Sequence, residues 1–528
     1  MSPRDWTVRR RDDRPGTGPL DRPVQRPADA PGDLRPAQRL LELGRRCERS
    51  GRVDEAIGAF ETAIETAASE AADAPTLAEA LRRLAVLLQR RGEAERAFEA
   101  CHRSYEVATA AGHVALRAEA LNTLGGLELM RESLDEAQHY LDRALELSEP
   151  LPELRGRIEQ NLGILCNIRR DRVTAREHYQ RSLEAFLTAG SEHGCAVAYN
   201  NLGMLSADEK QWEAADQYFE QGRRTAQGVG DDHLRGLCLT NRVEVLIALQ
   251  RFDTAQLAAE TALSIFEELR APAAIADVQR MLGIVFRETG RLGLAQSRLE
   301  VAVELAGESG SPVSHGDALC ETGRLHGRLG HIDVAIDYLL RSGRRFGEVL
   351  EALHGPEVLS GEYPNIVRAW SELLQKVDPD AAVHTDRAAQ IAGAIAAELG
   401  LPTGKQVAIR LAAQLHEVDR VRSSTGTAPT GPAAAADLLD AAGCFAEAAA
   451  IVRGLEDQTD RLPVAGQIVR LADRYARLTD AQARSTREQA LGTLGADRAR
   501  WRGEVWEALE RVTEALPTSP AKGPEPGL

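Results

Sequence analysis

The chain has 528 residues, a formal net charge of −16 at pH 7, ordinary hydrophobic content and few aromatic residues. This length predicts two or more domains. The acidic balance argues against a general nucleic-acid binder, which needs a basic surface. The seven cysteines form no CxxC pair, so we predict reduced thiols in a cytoplasmic protein. No apolar run approaches the ~18 residues of a membrane span, and the N-terminus has no signal-peptide core, so we expect no membrane partner.

The N-terminal segment, residues 1–36, is rich in Pro, Gly, Arg and Asp and poor in apolar residues. This composition predicts a disordered arm. The arginine triplet at residues 9–11 is compatible with an acidic partner, but we favour a solvated tail.

From Ala37 to about Gly343 the sequence repeats itself at intervals close to 40 residues, which gives about eight units. The marker of each unit is a Leu-Gly pair or its equivalent: Leu43-Gly44, Leu84-Ala85, Leu124-Gly125, Leu162-Gly163, Leu202-Gly203, Arg242-Val243, Leu282-Gly283 and Thr322-Gly323. An alanine follows twelve residues later: Ala56, Ala97, Ala137, Ala175, Ala215, Ala255, Ala295 and Ala335. In most units a bulkier residue comes four positions after the alanine: Phe60, Leu141, Tyr179, Phe219, Leu299 and Leu339.

This pattern predicts helix–turn–helix units. Small residues at fixed positions let two helices cross closely, and bulky ones fill the groove beside the crossing. Units of this kind stack into a superhelical solenoid, because each buries the face that its neighbour leaves open. The pattern resembles the tetratricopeptide repeat family, in a longer variant of about 40 residues per unit. The resemblance implies a protein or peptide ligand on a concave surface lined by the first helix of each unit.

Three asparagines stand directly before the markers of consecutive units and are 40 residues apart: Asn161, Asn201 and Asn241. In similar long-repeat proteins an asparagine at this position belongs to a ladder that binds the backbone of an extended peptide. An amide suits this role because it both donates and accepts hydrogen bonds. The alternative is that asparagine is only tolerated there. Nearby arginines, such as Arg157 and Arg280, would either add specificity or form a solvated face.

The repeats are predicted to end in a linker, residues 344–365, where Gly355-Pro356 and Tyr363-Pro364 interrupt the helical periodicity. We predict a second all-helical domain over residues 366–516 and a disordered Pro/Gly-rich tail over residues 517–528. The predicted fold class is therefore all-α, with a repeat solenoid followed by a helical domain.

The second domain contains the only clustered metal-ligating residue types. His384 opens one apolar-periodic helix, His416 and Glu417 end a second, and Asp473 lies within a third. Two histidines and two carboxylates on packed helices can hold a divalent metal.

Three segments resemble, in order, motifs of the HD superfamily of metal-dependent phosphohydrolases, in the HD-GYP branch that hydrolyses cyclic di-GMP. They are His384-Thr385-Asp386-Arg387, Leu415-His416-Glu417-Val418-Asp419-Arg420 and Leu471-Ala472-Asp473. The resemblance implies one divalent metal (Mn, Fe or Mg) held by His384, His416, Glu417 and Asp473, and a phosphate contact from Arg420.

The departures from that family are substantial. Gly454 and Leu455 stand where it has paired histidines, and its Asp-Gly-x-Gly-Tyr-Pro signature is absent. Glu417 replaces an aspartate that bridges metals. A two-metal clamp on a phosphodiester is therefore not supported.

We therefore interpret the protein as a scaffold or signalling regulator that binds a partner through its repeats and carries an inactive HD-like domain. Two alternatives remain: a phosphohydrolase with a reduced metal site, resembling a cyclic di-GMP phosphodiesterase, or a nucleotide-binding sensor. The His-Glu-Asp cluster also fits a purely structural hydrogen-bond network.

Overall fold

The computed structural model describes residues 34–49, 52–68, 73–352, 364–423, 430–457, 462–480 and 485–515. Every regular element in these ranges is a helix, so the predicted all-α class is confirmed. None of the described helices combines the length and apolar character needed to cross a bilayer. Most of the predicted N-terminal arm and the whole predicted C-terminal tail lie outside the described residues. The chain divides into two compact units between Ala274 and Ile275.

The first unit consists of consecutive helix pairs, in which each helix packs on its partner and each pair packs on the next. Its helices are α1 Pro36–Arg49, α2 Val53–Ala67, α3 Ala74–Arg90, α4 Ala94–Ala110, α5 Val114–Met130, α6 Leu134–Glu146, α7 Pro152–Ile168, α8 Arg172–Ala189, α9 Glu192–Asp208, α10 Trp212–Val229, α11 Asp232–Ala248 and α12 Phe252–Glu268. Because each repeat contributes two helices, this is the solenoid-like packing that the 40-residue period predicts.

The second unit contains the last repeats and the C-terminal helices. Its helices are α13 Pro272–Glu288 (which starts just before the boundary), α14 Leu292–Glu308, α15 Pro312–Leu329, α16 Ile332–Ala352, α17 Pro364–Val377, α18 Pro379–Glu398, α19 Thr403–Leu415, α20 Arg420–Ser423, α21 Pro432–Ala442, α22 Ala446–Gly454, α23 Val464–Leu478, α24 Arg487–Gly495 and α25 Gly503–Ala515. A 3-10 helix covers Arg498–Arg500. Helix α18 packs against α19, α23 and α25 at the centre of the C-terminal helices.

The marker glycines lie where the two helices of a repeat cross most closely. A Cβ on Gly163 would stand 2.5 Å from Cε1 of Tyr179, and one on Gly203 would stand 2.7 Å from Cε1 of Phe219. The same overlap would arise in four other repeats, between these pairs: Gly44 and Phe60, Gly125 and Leu141, Gly283 and Leu299, Gly323 and Leu339. The bulky residue therefore fills the space that a missing Cβ leaves, as the spacing predicts.

In some repeats a serine hydroxyl also connects the two helices by a hydrogen bond. Ser104 donates to the carbonyl of Ala78 at 2.6 Å, and Ser182 donates to that of Gly156 at 2.7 Å. Both hydroxyls are buried, so each bond satisfies a group that would otherwise be costly to desolvate. The serines occupy a position where the repeat pattern has only small residues, because a larger side chain would separate the two helices.

The last repeat and the C-terminal helices share one hydrophobic core. Phe346 of α16 belongs to the same buried cluster as Trp370 of α17. A Cβ on Gly343 would lie 2.5 Å from the carbonyl oxygen of Ala442, so α16 and the end of α21 are in backbone contact. Residues 344–352 of the predicted linker belong to α16, and residues 353–363 lie outside the described residues.

We predict that Gly163→Ala destabilises the protein by about 1–3 kcal/mol, because the new methyl group overlaps the Tyr179 ring in a packed crossing. The matched control is Gly228→Ala in α10, where a Cβ would meet nothing within 4 Å. The control should be stabilised by up to about 1 kcal/mol, since alanine favours helix. Urea unfolding of both variants measures the difference, and equal effects would refute the close crossing.

A buried histidine–carboxylate pair joins α7 and α8. His178 Nδ1 lies 2.7 Å from Oε2 of Glu159, whose side chain is 1% exposed. Burial alone would lower the pKa of His178. Its hydrogen bonds to Cys166 and Glu159, together with the charge of Glu159, instead raise that pKa to about 9. The imidazolium form is therefore the stable one at neutral pH.

This pair predicts a pH dependence of stability. Because the pKa of folded His178 lies above the unfolded value of about 6.5, its contribution is complete below pH ~6.5 and is lost as pH rises through about 9. We expect the free energy of unfolding to fall over that window by no more than about 3 kcal/mol. In His178→Asn this part of the slope should vanish, as measured by urea unfolding at pH 6.5 and pH 9.5. A wild-type slope that the variant retains would contradict the assignment.

Candidate functional site

The first unit brings the predicted asparagines onto the first helices of three consecutive pairs: Asn161 on α7, Asn201 on α9 and Asn241 on α11. Asn161 donates from Nδ2 to Oδ1 of Asn122 on α5 at 2.9 Å. Asn241 donates from Nδ2 to Oδ1 of Asn200 on α9 at 3.0 Å. Two of the three predicted amides are therefore bonded to an asparagine of the preceding repeat.

Asn201 differs from its two counterparts. It is buried, and its Nδ2 has no hydrogen-bond partner among the described residues. An unsatisfied buried amide costs about 1–3 kcal/mol, so this position calls for a physical explanation. We call Asn122, Asn161, Asn200, Asn201 and Asn241 the amide row.

Sequence reasoning missed Asn122 and Asn200. They stand 39 and 41 residues before their donors, because the two markers concerned are 38 and 40 residues apart and each acceptor lies two positions before its marker, whereas each donor lies one position before. A search for asparagine one or two positions before each marker would have found them. The five amides together form a longer polar row than the three predicted ones.

The neighbouring arginines of the first unit are held in ion pairs. Glu119 on α5 accepts from Arg82 at 2.6 Å and from Arg157 at 3.3 Å. Arg157 was predicted to add specificity or to form a solvated face. The pairing favours a structural contribution, because one carboxylate joins the first helices of three repeats.

The second unit has a similar buried network. Glu321 of α15 pairs with Arg287 and with Arg324. Burial alone would raise the pKa of Glu321, but the two guanidinium groups hold it at about 2. Arg324 also donates two 2.8 Å hydrogen bonds to Glu372 of α17, which connects the last repeat to the C-terminal helices.

The C-terminal helices bring three of the four predicted metal ligands together. His384 lies on α18, His416 caps the C-terminus of α19, and Asp473 lies on α23. Asp473 Oδ1 is 2.7 Å from His384 Nε2 and 3.1 Å from His416 Nε2. One nitrogen or oxygen of each residue lies within 4.8 Å of the others, a separation compatible with a shared ion.

The fourth predicted ligand, Glu417, is not in this group. Its Oε1 accepts from Arg477 at 2.6 Å and from Arg420 at 3.1 Å. Arg420 also donates to Asp378 at 2.9 Å, so the residue predicted to contact phosphate is bound to two carboxylates. Sequence reasoning missed Arg477, although it lies one helical turn after Asp473.

The hydrogen bonds of His416 determine its charge. Nδ1 lies 2.8 Å from the carbonyl of Ala413, and Nε2 faces Asp473. Both neighbours are acceptors, so both ring nitrogens carry protons. Burial would lower the pKa of His416, but the hydrogen bond and charge of Asp473 raise it. In turn, burial would raise the pKa of Asp473, but the two histidines and Arg477 hold it well below its usual value.

These residues do not fit a four-ligand metal site in this arrangement. A histidine that binds a metal normally donates its second N–H to a carbonyl or carboxylate. His416 does so, but Nδ1 of His384 is buried without a partner among the described residues. Both carboxylates are already neutralised by arginine. Gly454 and Leu455, which stand where the HD-GYP family has paired histidines, offer no side-chain ligand.

Comparison with known proteins bears on the repeats. The family model described as tetratricopeptide repeat matches residues 76–149. This segment therefore has the sequence of tetratricopeptide repeats. The match includes none of residues 366–516, so the HD resemblance stays a prediction. A search of the curated proteins found no match.

Several solved structures are similar at low level. BtubC (BKLC) from P. vanneervenii is 23% identical, with TM-score 0.38 over 41% of this chain and 92% of that one. The apo form of RapI is 18% identical, with TM-score 0.40 over 51% and 97%. A signal transduction ATPase with a tetratricopeptide repeat sensor from Pyrococcus horikoshii is 14% identical, with TM-score 0.47 over 60% and 47%. At this similarity we draw no functional conclusion from them.

We predict that Asp473→Asn lowers the free energy of unfolding by about 3 kcal/mol, because it leaves charged His416 without its counter-charge and leaves Arg477 paired with Glu417 alone. The control is Asp497→Asn, whose half-exposed carboxylate lies 3.7 Å from Arg474. The control should change stability by less than about 1 kcal/mol. Thermal and urea unfolding test this. Indistinguishable variants would show that the buried cluster contributes nothing to stability.

Proposed function

We propose that the protein binds a protein or peptide partner on the surface formed by α5, α7, α9 and α11, and that its C-terminal helices do not catalyse a reaction. The observation that carries the first part is the amide row, in particular the buried Nδ2 of Asn201, which has no partner in the described part of the chain. An extended peptide presents backbone carbonyls and N–H groups, and a row of amides can pair with both.

The competing explanation of the amide row is structural. The bonds from Asn161 to Asn122 and from Asn241 to Asn200 connect the first helices of neighbouring repeats without any ligand. Removing either bond should cost about 1 kcal/mol of stability. Nδ2 of Asn201 makes no such bond among the described residues. Replacing Asn201 can therefore reduce partner binding without reducing the stability of the fold.

The non-catalytic part rests on charge and on missing donors. Phosphodiester hydrolysis by two metals requires ligands for both ions, whereas Glu417 is paired with Arg477 and Arg420. The three clustered donors His384, His416 and Asp473 are what favours the second candidate, a phosphohydrolase with one Mn, Fe or Mg ion. If such an ion were bound, these three residues would hold it, and it would polarise a phosphate oxygen. A nucleotide-binding sensor would use the same helices.

We predict that Asn201→Ala weakens partner binding about tenfold, because one buried hydrogen bond to the ligand is worth about 1.4 kcal/mol. The partner is first isolated on immobilised wild-type protein and identified, and its dissociation constant is then measured with purified components. The melting temperature of Asn201→Ala should be unchanged or higher, whereas Asn161→Ala and Asn241→Ala should also lose stability.

The matched control is Gln227→Ala on the exposed side of α10, a second helix, which should bind as wild type. Unchanged affinity of Asn201→Ala for every isolated partner would assign the amide row to folding alone. It would also remove the observation on which the proposed binding surface rests.

A further inference from the structure

The C-terminal cluster contains a cation of its own. Arg477 follows Asp473 by four residues on α23, so both side chains lie on one face of that helix. Its Nε donates to Oδ1 of Asp473 at 3.1 Å, and one terminal nitrogen donates to Oε1 of Glu417 at 2.6 Å. The guanidinium therefore bridges the two carboxylates that the HD resemblance assigns to a metal ion.

We propose that Arg477 takes the place of a divalent cation in this domain, so that the cluster of His384, His416, Asp473 and Glu417 is closed by a side chain and excludes metal. This inference deepens the proposal that the C-terminal helices are non-catalytic. It does not depend on partner binding.

The shared oxygen explains the exclusion. Oδ1 of Asp473 accepts from His384, His416 and Arg477, so its lone pairs are already directed at three donors. A metal ion bound through Nε2 of both histidines would break their hydrogen bonds to Asp473, because a ring nitrogen that binds a metal cannot donate a proton at the same time. It would also take a doubly positive charge into contact with a guanidinium, which does not lose its proton in proteins.

The balance of charge points the same way. Two carboxylates, Asp473 and Glu417, face the guanidinium of Arg477, and Arg420 lies on the other side of Glu417. Each of these two carboxylates is therefore already paired with a positive group, unlike the carboxylates of a metal site, which have excess negative charge until the ion binds.

Removing the guanidinium should therefore reopen the site. The side chain of Arg477 is 49% exposed, so its replacement leaves a space that water and ions can reach. In Arg477→Met the two carboxylates lose their common counter-charge. The Nδ1 bond of His416 to the carbonyl of Ala413 keeps its ring oriented with Nε2 toward Asp473.

The test is direct measurement of Mn²⁺ binding to the full chain, after treatment with a chelator and buffer exchange. Free and bound Mn²⁺ are distinguished by electron paramagnetic resonance. Melting temperatures are recorded without Mn²⁺ and with about 1 mM Mn²⁺, a concentration chosen to saturate a weak site. Wild type should show no saturable binding and no thermal shift. Arg477→Met should melt lower in chelator, show saturable binding of one Mn²⁺ per chain, and melt higher when Mn²⁺ is added.

Three further variants make the result specific. Arg477→Lys keeps the positive charge and should exclude Mn²⁺ as wild type does. Arg474→Met removes a neighbouring arginine that pairs with Asp497 and should leave Mn²⁺ binding absent. Arg477→Met combined with His416→Ala should lose the Mn²⁺ gained by the single change. If Arg477→Met fails to fold, Arg477→Gln removes the charge with a polar side chain and should gain Mn²⁺ in the same way.

Two outcomes overturn the inference. One is saturable Mn²⁺ binding to wild type that disappears in Asp473→Ala. The other is no gain of Mn²⁺ in a folded Arg477→Met or Arg477→Gln protein. Neither outcome involves the amide row, so the partner-binding proposal stands or falls by its own measurement.

Discussion

The close crossing of the two helices in each repeat is the contact on which the rest of the solenoid depends. A ring or leucine side chain occupies the volume where the Cβ of the marker glycine would be, as in Gly163 with Tyr179 and Gly283 with Leu299. This approach fixes the depth at which each pair of helices packs. Six of the eight repeats share this crossing, so their helix pairs stack in a similar way. In this stacking Asn161 reaches Asn122 of the preceding first helix, and Asn241 reaches Asn200.

The sequence was sufficient for the features that depend on spacing along one helix pair. The all-α class, the glycine crossings and the convergence of His384, His416 and Asp473 all follow from periodicity or motif order. It was insufficient where a long side chain chooses between partners on different helices. Glu417 has the spacing of a metal ligand, yet it pairs with Arg477, sixty residues away, and with Arg420. The choice depends on three-dimensional reach and charge, which spacing does not encode.

The amide row illustrates the same limit within the repeats. The predicted residues Asn161, Asn201 and Asn241 were chosen for identical position, which suggests identical roles. Their environments are different. The preceding repeat offers an asparagine to Asn161 and Asn241, whereas Nδ2 of the buried Asn201 has no partner among the residues that the structure describes. Residues that are equivalent in the repeat pattern therefore contribute differently to the stability of the fold. Asn201 is the one whose amide can bind a ligand without the loss of a hydrogen bond within the protein.

The C-terminal helices have a structural role that does not depend on chemistry. The last repeat of a solenoid has an apolar face that must be covered by other residues. Here Phe346 of α16 packs in one core with Trp370 of α17, and Arg324 of α15 binds Glu372 through two hydrogen bonds. The C-terminal helices thus cap the repeats of their unit.

The central claim is that this chain binds a partner and does not catalyse phosphodiester hydrolysis. The most direct test is an assay of the purified full-length protein with cyclic di-GMP and a generic phosphodiester in the presence of Mn²⁺, Mg²⁺ or Fe²⁺. The account predicts no turnover above that of Asp473→Ala under any of these conditions. Metal-dependent turnover by wild type that disappears in both His416→Ala and Asp473→Ala would contradict it and would establish a hydrolase.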